Sequence, residues 1–212
     1  MELMKIPSEK ECFELIWKMN MMSHIIDHSV MVANVAFFLS QKLKIKFPEL
    51  DVKLTTSAAL LHDITKTRSF DTKESHAQTG GELLTSLGYR ETGDIIRQHV
   101  ILDSYDNKWN SHQTDSFVSE QEIVNYSDKR VLHDSVVLLE KRLEYIKLKY
   151  GTQKGFKNRI KMVWDNTVNL EKKLFSYLDI SPEQLSQNVK KIIKRPDKQK
   201  TDSSSLKNNL VF

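Results

Sequence analysis

The chain has 212 residues, of which 39% are apolar and 28% charged, with a formal net charge of +4. That is enough for one domain with a packed core, and no window approaches the ~18 consecutive apolar residues of a membrane span. Six Gly and four Pro are sparse punctuation for this length, which disfavours a many-turned β protein, and the single Cys12 excludes an internal disulfide framework or a Cys-rich zinc site.

The charge is unevenly placed. Residues 190–212 hold seven Lys or Arg against two Asp, so this end carries +5 and the rest of the chain −1. The body is therefore not a basic nucleic-acid binder, and nucleic acid is expected to bind at most weakly through the tail. The predicted organisation is a helical domain over 1–190, with its motifs in 24–150 and further helices in 156–190, followed by a disordered basic tail over 191–212. "MELMKIPSEKECF" mixes acidic with basic residues and has no apolar h-region, so no secretory signal is expected and a cytoplasmic location is.

In chain order, Ser8 with Glu11 makes a capping box after Pro7 and opens a helix with Cys12, Leu15, Ile16 and Met19 on one face. The spacing predicts a second helix over about Ser23 to Leu43, with Ile25, His28, Val32, Val35, Ala36 and Leu39 as its inward stripe. Pro48 marks a boundary, and a third helix from about Val52 leads through Ala58 and Leu61 into His62 and Asp63. Ser75 is the candidate cap of a fourth, from His76 to about Leu87, stopped by Gly88. Gly80 and Gly81 within it each cost about 1 kcal/mol relative to Ala, so another helix or the site is expected to approach closely there.

A fifth helix is expected from about Glu91 to Ile101, with His99 near its end. Asp103 to Phe117 has no period and reads as a lid or binding loop, where Tyr105 and Trp109 either stack on a base or anchor the loop. A second capping box, Ser119 with Glu122, opens a helix through Asp128 that is predicted to run on to Tyr150 and close at Gly151. A long helix from about Asn158 to Tyr177 and a short one after Ser181 complete an all-α bundle.

Six residues stand out: His28, His62, Asp63, His76, His99 and Asp128. An Asp is almost never buried unless it is paired or holds a metal, yet Asp63 ends an apolar run. Apart from the adjacent pair, each lies on or at the end of a separate helix, and facing helices of a bundle can bring such side chains together. Imidazole with carboxylate suits Fe, Mn, Co, Ni or Zn, and two ions sharing Asp63 would use all six. The residues alone leave two readings open, metal ligands or hydrogen-bonded core and surface groups. His112 and His133 lie in polar surroundings and are read as solvated.

The order His28, His62-Asp63, His76, His99, Asp128 resembles the HD-domain superfamily of metal-dependent phosphohydrolases, in particular its two-metal members. "HSVMVANVAFFLS", "LLHDITK", "HAQTGGELLTSLGY", "IIRQHV" and "NYSDKRV" are similar to its five ordered motifs, and Thr65 stands where the HDIG form has Gly. The resemblance implies an HD-like bundle in which His28, His62, Asp63 and Asp128 hold one divalent transition-metal ion and His76 and His99 complete a second. Fe or Mn is the first expectation, with Co, Ni and Zn as the other ions that suit these donors. It further implies a catalytic part for His62 and Asp63, and for Lys66 as a point charge on substrate phosphate; Arg97 is a weaker candidate for the same task. The implied reaction is hydrolysis of a phosphate ester or anhydride of a small nucleotide-like molecule by a metal-bound hydroxide. Two other classes carry similar residues: HD-fold di-iron oxygenases, and regulatory modules in which a metal or nucleotide only stabilises the fold.

Overall fold

Ser8 and Glu11 cap α1 (Glu9–Lys18) reciprocally: the Glu11 N–H donates to Ser8 Oγ and the Ser8 N–H to the Glu11 carboxylate. This is one end of a computed structural model that describes residues 4–103, 117–152 and 156–197. Cys12 on α1 is fully buried, and burial pushes its thiol up to about 12, consistent with a small core residue rather than a nucleophile.

The centre of the fold is α2 (Ser23–Leu43), packed on α3 (Val52–Leu61) and on α7 (Glu120–Lys129). The inward stripe of α2 is realised: Val32, Val35, Ala36 and Leu39 are fully buried, and His28 lies among them. Asp51 caps α3 by accepting from the Lys53 and Leu54 N–H groups. Among the described residues, no helix is long and apolar enough to cross a membrane.

Directly after the His62-Asp63 pair comes α4 (Lys66–Thr72), which has no buried residue and hence no apolar period from which to predict it. α5 (His76–Ser86) starts where expected, although the Ser75 side chain makes no capping bond. Gly88, at φ +85, turns the chain into α6 (Arg90–Arg97). The glycines of α5 serve close helix packing. A Cβ on Gly81 would lie 2.7 Å from the Gly93 carbonyl oxygen of α6, and one on Gly93 would lie 2.6 Å from the Gly81 oxygen. This contact sets the spacing of α5 and α6, and therefore of His76 and His99.

Two predicted helices end early. α6 stops at Arg97 instead of running to Ile101, because the Gln98 and His99 carbonyls accept from Asn125 Nδ2 and Lys129 Nζ of α7. The helix expected from Ser119 to Tyr150 is broken after Lys129 by an antiparallel hairpin, β1 (Val131–Leu132) and β2 (Ser135–Val136), before α8 (Leu139–Tyr150). His133 takes φ +56 in its turn. The break follows from Arg130, only 1% exposed, whose guanidinium donates to the Val137 and Pro182 carbonyls and to Glu171. Those acceptors outweigh continuation of the helix. α9 (Phe156–Phe175), a 3₁₀ turn at Pro182–Gln184 and α10 (Leu185–Asn188) follow. The loop expected over 103–117, with Tyr105, Trp109 and His112, falls on 104–116, outside the described residues.

The first residues of the stretch expected as a tail from 191 are packed on the body. Ile193 is 4% exposed, and buried Asn34 of α2 accepts from the Ile192 and Ile193 N–H groups and donates to the Ile193 carbonyl. Ending the chain at 190 should therefore lower stability by roughly 3 kcal/mol, through one buried Ile and the loss of both donors to Asn34 Oδ1. Ending it at 197 should change little. Thermal melts of the two truncated chains decide this, and equal melting temperatures would contradict the docking.

Candidate metal centre

The helices deliver the six residues to one place. His28 comes from the first half of α2, His62 and Asp63 from the end of α3, and His76 from the first position of α5. His99 lies just past α6, and Asp128 in the last turn of α7. His62 and Asp63 are fully buried, His99 is 1% exposed and His28 7%, while the His76 and Asp128 side chains keep an edge to solvent.

Their polar atoms converge. Asp128 Oδ1 lies 3.1 Å from His28 Nε2 and 3.7 Å from His62 Nε2. Asp63 Oδ2 lies 3.3 Å from His62 Nε2, while its Oδ1 lies 3.3 Å from His76 Nε2 and 3.7 Å from His99 Nε2. His76 Nε2 and His99 Nε2 are 3.2 Å apart. Two donor sets that could hold an ion emerge, His28/His62/Asp128 and His62/Asp63/His99, and they share His62.

Backbone carbonyls fix three of the rings. His28 Nδ1 meets the His133 oxygen at 3.0 Å, His62 Nδ1 the Ala59 oxygen at 2.7 Å and His99 Nδ1 the Ile96 oxygen at 2.7 Å. In the last two, a histidine just beyond a helix end bonds a carbonyl of that helix's last turn. Each Nδ1 therefore carries the proton, and each Nε2 presents a lone pair inward, the orientation metal-binding histidines take. A neutral ring has one N–H, yet His28 faces an acceptor at both nitrogens. Among the described residues, His62 Nε2 and Asp63 Oδ1 are buried with no hydrogen-bond partner, a costly state that a cation between them would relieve. Ligand atoms on bonds of about 2.1 Å sit about 3.0–3.4 Å apart, close to the spacings found. The residues fit a metal.

Electrostatics agree with that geometry. Burial pushes Asp63 up, but Lys66 and His62 outweigh it and hold its carboxyl well below the usual range; Asp128 is likewise held down against burial, by His28, His62 and Arg142. Burial disfavours a charged His62, but Asp63 and Asp128 overcome it and raise its pKa. Burial dominates at His99, pushed down to about 3, and lowers His76 as well.

These shifts predict acid lability of the chelator-treated chain. His99 and His76 have depressed folded pKa values, so their contribution is present above the unfolded histidine range and is lost as pH falls below about 6.5. His62 has the opposite sign: its contribution is complete below that range and lost as pH rises through its raised pKa. The two carboxylates lose theirs only below the ordinary carboxylate range. Between about pH 6 and pH 5, His99 alone should therefore cost roughly 1 kcal/mol. Denaturant melts across that interval are the check, and a flat profile would contradict a neutral, buried His99.

Lys66 Nζ sits 2.7 Å from Asp63 Oδ2, and although burial opposes its charge, Asp63 raises its pKa. Arg97 is engaged elsewhere, with Asp94 at 2.5 Å and Thr85 Oγ1 at 3.0 Å. His133 has an exposed side chain, as expected, but its carbonyl holds His28. Three residues at the centre escaped the sequence reading. Asn125 and Lys129 clamp the His99 carbonyl from α7, and their place three residues before and one after Asp128 was the available signal. Arg142 of α8 brings Nη2 to 3.8 Å from Asp128 Oδ1; nothing local marked it among the basic residues of its helix.

The HD domain family model matches residues 25–133, a span containing all six residues. Ribonuclease Y 1 of Pediococcus pentosaceus is 27% identical over 182 residues, covering 81% of this chain and 31% of that protein. Ribonuclease Y of Rubrobacter xylanophilus is 34% identical over 74 residues, 35% of this chain and 13% of its own. An uncharacterized protein of Methanocaldococcus jannaschii is 32% identical over 78 residues, 37% of this chain and 45% of its own. The chain thus spans less than half the length of each of these relatives. No solved structure matches it. With the family model covering just over half of its residues and the His-Asp cluster at the centre of that span, the chain belongs to the HD-domain superfamily of metal-dependent phosphohydrolases.

Proposed function

We propose that the protein hydrolyses a phosphate ester or anhydride of a small nucleotide-like molecule, using one or two divalent transition-metal ions held by His28, His62, Asp63, His76, His99 and Asp128. The observation that carries this reading is the pair of buried atoms without hydrogen-bond partners among the described residues, His62 Nε2 and Asp63 Oδ1, at the point where the other ligands converge. A bound ion lowers the pKa of a water and offsets charge on phosphoryl oxygens. The remaining work falls to the chain. The Ala59, Ile96 and His133 carbonyls keep the Nδ1 protons and so aim the Nε2 lone pairs. Lys66 orients Asp63 and, charged and partly open to solvent, offers its other N–H donors to a phosphoryl oxygen. Cys12, buried on α1 with a raised pKa, has no part.

The test is phosphate release by the anaerobically loaded chain, Fe or Mn first, over nucleotides and dinucleoside polyphosphates. Turnover without oxygen would eliminate the oxygenase reading, and absence of turnover with every ion and substrate would leave the binding-module reading in its place. A second substrate class, oligoribonucleotides, is favoured by the two relatives named ribonucleases and by residues 139–161, where eight Lys or Arg face two Glu. Cleavage that weakens steeply with salt would support it.

A further inference from the structure

Arg142 has an environment that neither the fold nor the metal ligands account for. Its side chain is 14% exposed, and its Nε is buried without a hydrogen-bond partner among the described residues. Among the described residues, the closest carboxylate oxygen, Asp128 Oδ1, is 3.8 Å from Nη2, beyond hydrogen-bonding distance. The guanidinium carbon lies 5.9 Å from the centre of the Tyr145 ring, and that ring packs edge-on against His133 at 5.4 Å. His133 in turn supplies the carbonyl that fixes His28. The arginine head is thus held beside the metal ligands by a stack that runs back into the site.

A guanidinium stays charged at any working pH and presents five donors, so burying it without an anion is expensive. Asp128 supplies that anion only while its own charge is free. Once Asp128 ligates a divalent ion, its charge is shared with that ion and Arg142 is left beside a cation. Lys66 meets the same situation on Asp63, from a different helix. Two side-chain cations with two divalent ions exceed what Asp63 and Asp128 can neutralise. The excess calls for an anionic ligand with several acceptor oxygens, and a planar fork of donors matches a phosphoryl group.

We propose that Arg142 binds the phosphoryl group of the substrate, its guanidinium donating to two phosphoryl oxygens while Lys66 provides a point charge from the Asp63 side. This rests on the hydrolase reading above and deepens it: the group recognised is a phosphate carried beside the metal centre, and Arg142 is a binding residue that no sequence motif marked.

Inorganic phosphate is the probe, titrated calorimetrically into the full chain loaded with Mn, for the parent, Arg142→Gln and Arg142→Lys. Arg142→Gln should bind phosphate about 10- to 100-fold more weakly with metal content unchanged, since it removes charge-assisted bonds but no ligand. Arg142→Lys, which keeps the charge without the fork, should fall between. Free guanidinium added to Arg142→Ala should recover part of the binding, which a structural role would not allow. Unchanged phosphate affinity in Arg142→Gln overturns the proposal, as does loss of metal or of folding in both Arg142→Gln and Arg142→Lys. The hydrolase reading fails separately: a parent that binds phosphate through Arg142 but releases none from any substrate keeps this assignment and loses that reading, and a parent that binds no phosphate loses both.

Discussion

Replacing His62 by Ala should remove tight metal binding and lower turnover by at least about 1,000-fold, the largest loss expected of any single change. His62 is the residue common to both donor sets, fully buried, with its Nδ1 committed to Ala59 and its Nε2 to the centre. Without it, the set with His28 and Asp128 retains two members, fewer than the three protein ligands of an ordinary catalytic site, and the set with Asp63, His99 and His76 loses the ligand the two share. Asp63→Ala should be nearly as severe, because one oxygen faces His62 and the other faces His76 and His99. It should also cost stability in the metal-free chain, roughly 2 kcal/mol. That is less than the ~3–5 kcal/mol of breaking a wholly buried pair, since the Lys66 side chain is 29% exposed and can turn to water. Elemental analysis of the anaerobically purified variants beside the parent decides the matter. Full metal content and turnover in either one would sink the assignment of these residues.

Local signals in the sequence were legible where the physics is local. The Ser8-Glu11 and Ser119-Glu122 boxes mark two helix starts within a residue, and the 21-residue α2 follows from its apolar stripe. The six chemistry-bearing residues stood out because His and Asp are unexpected in apolar stripes, and the fold gathers them. What stayed hidden depends on partners far along the chain. α6 stops where Asn125 and Lys129 take the carbonyls just beyond it, those of Gln98 and His99, and α7 stops where Arg130 finds Val137, Glu171 and Pro182. Ile193 looked like tail because nothing near it shows that Asn34, 159 positions away, receives its backbone. Arg142 belongs to the same group: on a helix carrying Lys141, Lys147 and Lys149, its contact with Asp128 has no local trace.

The number of ions is decided by His99 and His76. His99 belongs to the set with His62 and Asp63, while His28 and Asp128 belong to the other. His76 Nε2 adds a donor at 3.2 Å from His99 and 3.3 Å from Asp63 Oδ1. With two ions in the parent, His99→Ala and His76→Ala should each lose about one and keep the other on His28, His62 and Asp128. Conversely, His28→Ala should release the other ion and spare the one near His99. Turnover should fall in all three by more than the ~10- to 100-fold typical of removing a group that only supports a ligand. Stability should fall little by comparison, because His99→Ala removes one ring and its bond to Ile96 from a core that is otherwise intact. A one-metal enzyme predicts a different pattern. His76 and His99 would then hold water or a phosphate oxygen, and both alanine variants would keep the parent's metal content while kinetics alone suffered. Metal counting on the three variants beside the parent separates these outcomes, and a stoichiometry unchanged in His76→Ala and His99→Ala would reject the two-metal centre.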